Sequence, residues 1–262
     1  MSDVDAVNVH SREELAELLS REPALHLYAR CDLDDRAWER TTWYGLRDAS
    51  GALEQVALVY RGDRAPFVLA LSGDAPPRMA ALLTAITPSL PRSFHLQASP
   101  GVERALAPSW ALTSRGAYLR LMLAEPNLAA PHPDLVPLGP ADRAEVQAFY
   151  QAVYPENFFD PWLLSTGLFR GLRRDGALIA VAGVHAWSPM YRVAALGSIA
   201  THPDARGQGL GALTTSAVLR ALPTGTSVGL NVHEQNTVAK RLYERLGFRE
   251  ATRYGEWSAA TP

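Results

Sequence analysis

The segment Ile199-Ala200-Thr201-His202-Pro203-Asp204-Ala205-Arg206-Gly207-Gln208-Gly209-Leu210-Gly211 joins an apolar strand to an apolar helix through three glycines in five residues. Pro203 ends the strand, because proline has no N–H to give to a ladder. Glycines let successive N–H groups turn toward one centre without Cβ obstruction. The helix that follows, with Leu210, Leu213, Ala217 and Ala221 on one face, adds unpaired donors and a partial positive charge at its start. A strand, a glycine turn and a helix in that order form a cradle for a diphosphate. Arg206, Gly207, Gln208, Gly209, Leu210, Gly211 and Ala212 are therefore the candidate anion-holding residues. Such a turn needs a sheet to end on and a helix to begin, which selects an α/β fold.

Two better-known glycine loops do not fit. A dinucleotide fold places G-x-G-x-x-G after its first strand with an acidic residue about 20 positions on, whereas this turn falls late in the chain. A P-loop requires lysine after its last glycine, and Lys240 is the only lysine present. The bland alternative is a glycine turn that merely starts a helix.

Composition bounds the rest. Apolar residues make up 47% of 262 residues, enough for two ordinary cores and little extended disorder. A net charge of −2 leaves no basic footprint for nucleic acid or an anionic membrane. The single cysteine, Cys31, excludes an internal disulfide and a cysteine-based zinc site. No metal is expected. The N-terminal residues lack a secretory pattern and no run of about 18 apolar residues exists, so a cytoplasmic protein is expected.

Ser11-Arg12-Glu13-Glu14 has the form of a capping box opening a helix. Short apolar runs follow at 25–29, 41–46, 56–60 and 67–71, with turn residues at 48–51 and 61–64 between the later ones. Next come a helix at 77–86, a strand at 93–98, a short helix at 102–106 and a long strand at 110–123. Five prolines between 125 and 140 read as a stiff linker, dividing the chain into 1–125, a linker at 126–137, and 138–262. The second part reads as helices at 142–153 and 161–168, strands at 169–173, 177–187 and 192–201, then helix 209–222, strand 227–233, helix 237–246 and strand 248–257. Both halves run helices, three strands, helix, strand, helix, strand. The first is thus a candidate diverged copy of the second, although alternating elements also resemble one another by chance. At the matching turn, Ser72-Gly73-Asp74-Ala75-Pro76-Pro77 has one glycine, an acid and two prolines, so no cofactor is expected there.

Twenty-five residues past Gly211 stands Asn236-Thr237-Val238-Ala239-Lys240-Arg241-Leu242-Tyr243-Glu244-Arg245-Leu246-Gly247-Phe248. With Arg206, Gly209 and Gly211, this segment resembles the two motifs of the GNAT superfamily of acyl-CoA N-acyltransferases, [RQ]-x-x-G-x-[GA] and N-x-x-A-x-x-x-Y-x-x-x-G-F, in order and spacing. The resemblance covers about 138–262. It implies a mixed, mostly antiparallel sheet flanked by helices, and the repeated element order adds the expectation of a similar smaller α/β domain at the N-terminus. It further implies acetyl-CoA as co-substrate, Ile199, Ala200 and Thr201 lying along its pantetheine arm, Asn236 holding the pantetheine side, and Tyr243 as general acid to the sulfur. From position alone, Asn236 is an ordinary helix cap and Tyr243 a half-buried packing residue.

Acylating an amine requires its neutral form and a base to take its proton. Many members of that family carry a glutamate on the strand before the glycine turn, but 193–201 has no carboxylate here. His185, on the neighbouring strand, is the substitute, since histidine titrates near neutrality; an ordinary half-buried histidine is the alternative. Glu156 and Asp160 could line an amine entrance. The expected activity is direct acetyl transfer to a primary amine, with a small-molecule acceptor and no nucleic acid or membrane partner. A catalytically silent acyl-CoA-binding module and an amino-acid N-acyltransferase with longer acyl groups stand beside it. The sequence does not address oligomeric state.

Overall fold

The computed structural model describes residues 6–62 and 65–261. Along the chain run β1 (Val7–Asn8), α1 (Arg12–Arg21), α2 (Leu27–Cys31), α3 (Asp35–Trp38), β2 (Thr41–Arg47), β3 (Leu53–Tyr60), β4 (Phe67–Ala70), α4 (Pro76–Ile86), β5 (Ser93–Ala98) and β6 (Ala111–Leu123). Then come β7 (Leu135–Leu138), α5 (Arg143–Val153), β8 (Phe169–Arg174), β9 (Ala177–Ser188), β10 (Val193–Thr201), α6 (Leu210–Ala221), β11 (Ser227–His233), α7 (Thr237–Arg245) and β12 (Phe248–Ala260). Short 3-10 turns occupy Val102–Ala105 and Pro161–Thr166, where the sequence suggests helices. The expected turn at 61–64 falls partly outside the described residues.

Contacts group the chain into two units: residues up to 120 with 233–235 and those from 250 on, and residues 121–232 with 236–249. The division expected from sequence cuts the chain once and leaves the last strand with the C-terminal half. Its pairing is with β5, from Gly255 opposite Ala98 to Ala260 opposite Ser93. Alternate residues Trp257 and Ala259 pack into the core of the first unit, which explains where that strand belongs.

The first unit orders its strands β1-β2-β3-β4-β5-β12. Neighbours are antiparallel except β4 and β5, which run parallel. Met79, Leu82, Leu83 and Ile86 of α4 recur at helical spacing and pack with Val59, Val68 and Leu96 from the sheet. Ser11 caps α1 by accepting the Glu14 N–H at 3.2 Å, as the capping box predicts. The apolar run at 25–29 is not a strand. Leu27 and Cys31, four apart and both buried, set a helical repeat that places them on the inner side of α2. Arg120 is fully buried between the rings of Tyr28 and Tyr254, 5.2 and 5.1 Å from their centroids, and donates to the Leu25 carbonyl.

The second unit repeats the order. β7, β8, β9 and β10 are antiparallel neighbours and β11 is parallel to β10, matching β1 to β5 in both sequence and sense. Leu210 and Leu213 of α6 pack with Leu172 and Ala180 on one face. Gly183 and His185 point to the other face. Only glycine fits at 183, since a Cβ would lie 2.4 Å from the Phe169 ring. Phe169 joins Phe159, Tyr150 and Phe149 in a run of ring contacts 5.0 to 5.7 Å apart, which brings α5 onto this face.

The proline-rich stretch is not a free linker. The Ala124 and Glu125 N–H groups donate to the Gly247 carbonyl, Asn127 donates to Leu246, and Ala129 donates to the Ser216 hydroxyl. Leu135–Leu138 even forms a strand, with Pro137 opposite Arg170. Proline is tolerated there because β7 ends the sheet. Among the described residues no helix is long and apolar enough to cross a membrane, and no group of three or more His, Cys, Asp or Glu side chains gathers to hold a metal.

Candidate active site

The parallel ladder between β10 and β11 runs from Val193 opposite Ser227 to Leu196 opposite Leu230. There it ends, while β10 continues to Thr201. On its other side β10 stays with β9, Ala200 facing Val181 and Thr201 facing Ala180, after a register shift between Gly197 and Ala200. The extra residue is Ser198, with φ +52°, a left-handed conformation that costs a non-glycine residue about 1–2 kcal/mol. This bulge turns β10 away from β11 and leaves the main chain of Ile199, Ala200 and Thr201 facing a gap.

Neighbouring side chains hold the bulge. The buried Tyr150 hydroxyl donates to the Ser198 carbonyl at 2.5 Å, and the Ser198 hydroxyl donates to Asn157 at 3.3 Å. Burial pushes the Tyr150 phenol far above its ordinary pKa, so it remains a donor. The His185 imidazole lies directly over Gly197, where a Cβ would overlap its ring. His185 therefore sits beside the bulge, on the α5 face. Desolvation pulls its pKa down to about 4. The near-neutral titration expected from sequence does not hold: burial makes His185 a neutral imidazole at pH 7.

Beyond Thr201 the chain turns twice and enters α6. His202 accepts the Asp204 N–H at 3.3 Å and so shapes the turn. Gly207 and Gly209 have φ of +77° and +74°, with open space where each Cβ would be. Gly211 differs: a Cβ there would lie 3.0 Å from Leu242 of α7, so it permits close helix packing. The N–H groups of Ala205, Arg206, Ala212 and Leu213 bond to nearby carbonyls. Among the described residues, those of Gly207, Gln208, Gly209, Leu210 and Gly211 make no backbone hydrogen bond. Five such donors thus follow one another here, in a turn exposed at Gly207, Gln208 and Gly209 and buried at Leu210 and Gly211. Arg206 folds back to the Thr201 carbonyl at 3.4 Å, and Gln208 accepts from Arg174 at 2.8 Å.

Asn236 caps α7 by accepting the Ala239 N–H at 3.1 Å, which is the ordinary role its position suggests. Tyr243, about two helical turns further on, is buried with its ring edge-on to Phe248 at 5.9 Å. Burial raises its pKa, and the nearby Tyr154 phenol raises it further. Tyr243 belongs to a helix packed against α6, whereas Tyr154 ends α5 on the opposite face.

The equivalent place in the first unit is closed. β4 and β5 stay paired from Phe67 opposite His95 to Ala70 opposite Ala98. Ser99 then zips the ends, accepting the Ser72 N–H at 2.9 Å and donating to the Ser72 carbonyl at 2.7 Å. Pro76 and Pro77 at the head of α4 also remove two N–H donors.

Tyr150, Asn157, Ser198 and Tyr154 escaped the sequence reading. Tyr150 looks like one more apolar position beside Phe149 and Val146, and nothing in the local sequence marks Ser198 as left-handed. Glu156 is exposed, and Asp160 caps the 3-10 turn by accepting the Trp162 N–H at 2.9 Å.

The sequence model of the acetyltransferase (GNAT) family matches residues 139–248. Among solved structures, a Drosophila protein is 16% identical over 99% of each chain, with a TM-score of 0.72. A GCN5-related N-acetyltransferase from Sphaerobacter thermophilus is 14% identical, over 100% of this chain and 97% of that one, with a TM-score of 0.59. A tandem GNAT protein from the clavulanic acid biosynthesis pathway is 16% identical over 99% of each, with a TM-score of 0.57. These likenesses are of fold, and they span both units. No curated protein matches the chain significantly.

Proposed function

We propose that the C-terminal half of this chain, where the acetyltransferase (GNAT) family model matches residues 139–248, transfers an acetyl group from acetyl-CoA to a primary amine on a small molecule. One conjunction carries the reading: β10 parts from β11 after Leu196, and five N–H groups without backbone acceptors lie just past its end. An extended pantetheine arm can bond to the main chain of 199–201 as an added strand does. Diphosphate oxygens can accept from the amides of 207–211, each bond to a charged acceptor contributing roughly 1.5–3 kcal/mol.

In the transfer, the amine nitrogen attacks the thioester carbonyl carbon, an N–C bond forms and the C–S bond breaks. The nitrogen gives up a proton and the departing sulfur takes one. Tyr243 is the proposed donor to sulfur, since burial keeps its phenol protonated. His185 is the proposed acceptor for the proton leaving nitrogen. At a pKa of about 4 it cannot strip a free ammonium group. Deprotonating a lysine-like amine at pH 7 costs roughly 4.6 kcal/mol, and water takes that first proton. The remaining N–H grows acidic only as the N–C bond forms, and a weak, correctly placed base suffices for it.

A second reading, an acyl-CoA-binding module without turnover, draws on the lack of a carboxylate along 193–201 and on the low basicity of His185. Calorimetric titration with acetyl-CoA, followed by thiol release with a panel of amines, separates the two. Binding lost in Gly209→Glu, which puts bulk and negative charge in the turn, supports the cradle. Undiminished binding in that variant contradicts it. Binding without turnover of any amine favours the silent module.

A further inference from the structure

The segment between α5 and the 3-10 turn at Pro161–Thr166 alternates in burial. Asn157 and Phe159 are buried, and between and beside them Tyr154, Phe158 and Trp162 are 43%, 44% and 45% exposed. These three are among the few large apolar side chains of the described residues with that much exposure. The inward residues fix the segment at the gap. Asn157 accepts from the Ser198 hydroxyl at 3.3 Å, and the Phe159 ring lies 5.0 Å from that of Tyr150, whose hydroxyl holds the Ser198 carbonyl. The segment is therefore hung from the residue at which β10 leaves β11. Tyr154, its first member, lies near enough to Tyr243 to help raise the pKa of that phenol.

The acids nearby are largely committed. Asp160 accepts the Trp162 N–H, and Asp142 and Glu145 pair with Arg173. Glu156 is exposed, and His185 is uncharged at pH 7. A polycationic acceptor requires several carboxylates to hold its spare ammonium groups, and this face does not supply them. Exposed aromatic rings on the segment tied to Ser198 instead suit a flat apolar group, which ring stacking and apolar burial recognise.

Resting on the acyltransferase reading above, we propose that the acceptor is a monoamine carrying an aromatic or bulky apolar group, and that Tyr154 and Phe158 bind that group beside the gap at Ser198. The amine then enters from the α5 face, next to His185, while the thioester lies along β10. Phe158 determines which amine is taken and leaves the acyl donor untouched.

The test uses the full chain and acetyl-CoA with three amines: 2-phenylethylamine, 2-aminoethanol and spermidine. The aromatic amine is expected to have a kcat/KM at least tenfold above the other two. Phe158→Ala is expected to raise its KM about tenfold with little change in kcat, while Phe158→Tyr retains most of the affinity. Acetyl-CoA affinity, measured by calorimetry, should be the same in both variants. Preference for spermidine or 2-aminoethanol, no turnover of 2-phenylethylamine, or an unchanged KM in Phe158→Ala overturns the assignment. Loss of the acyltransferase reading itself shows separately, as failure of the unmodified protein to bind acetyl-CoA.

Discussion

The Tyr150 hydroxyl donates to the Ser198 carbonyl at 2.5 Å, and Ser198 has φ +52°. One buried phenol thus secures a left-handed serine at the point where β10 and β11 separate. Removing the phenolic oxygen in Tyr150→Phe leaves a buried carbonyl unpaired, at a cost of about 1–3 kcal/mol, and frees Ser198 to relax toward an ordinary strand. Acetyl-CoA affinity should fall roughly five- to fiftyfold. Ser198→Gly, which adopts that φ without strain, should stay within about threefold of the unmodified protein and should recover most of the loss when combined with Tyr150→Phe. Calorimetry of the three variants checks this. Equal losses in Tyr150→Phe with and without Ser198→Gly would mean that the bulge does not depend on this bond.

The motif glycines should separate by role. Gly207 and Gly209 have positive φ and open surroundings, so alanine at either should cost about 1–2 kcal/mol of backbone strain in the turn. The KM for acetyl-CoA should then rise about tenfold. Gly211 has ordinary helical backbone but faces Leu242 at contact distance. Its alanine variant should lower the melting temperature by a few degrees with a smaller change in KM. Steady-state kinetics beside thermal unfolding distinguishes the two patterns.

Gly247 should be the least replaceable glycine of the second unit. It has φ +96°, and a Cβ would lie 1.7 Å from the Glu125 carbonyl oxygen, in a place where backbone rather than a movable side chain must yield. Gly247→Ala is expected to destabilise by about 3 kcal/mol or more. Urea titration is the measurement, and a loss below about 1 kcal/mol contradicts the described packing of 124–127.

Acid should destabilise the protein through two partly buried, desolvated histidines. His185 and His26 have pKa values lowered to about 4, by desolvation in both and additionally by Arg120 and Arg30 at His26. The unfolded chain takes up protons below about pH 6.5, whereas the folded chain does so only near pH 4. Each contribution is thus present above pH 6.5 and is lost as pH falls toward 4, by up to about 3 kcal/mol. Asp32, raised to about 7 by burial, acts oppositely over about pH 4–7, so the net slope alone is not diagnostic. The difference between the unmodified protein and His185→Gln isolates one group. The variant should gain relative stability from pH 7.5 to pH 4.5, and a difference independent of pH would contradict the desolvation of His185.

Much of the fold is legible in the sequence because the signals are local. Prolines, glycines and apolar periods mark β5, β8, β9 and β11 within a residue or so, and Ser11 and Asn236 announce their helices as caps. Long-range choices are not local. Nothing within 248–260 tells that strand to pair with β5 rather than stay with its own half. Leu27 and Cys31 are too few to reveal a helical period, and five prolines conceal the edge strand Leu135–Leu138. The same divide runs through the site. Gly207 and Gly209 could be read because positive φ selects glycine. Ser198 could not, because its conformation is imposed by Tyr150 and Asn157, 48 and 41 residues away. His185 was legible as a candidate, but its basicity was not, since burial decides it.

Backbone amide spectra of uniformly labelled protein, recorded with and without saturating acetyl-CoA, bear most directly on whether the turn after β10 grips the donor's diphosphate. The amides of Gly207, Gln208, Gly209, Leu210 and Gly211 should shift and their hydrogen exchange should slow, while Ser72 and Gly73 in the first unit stay unchanged. Unmoved and unprotected amides at 207–211 in the presence of bound acetyl-CoA would contradict the account.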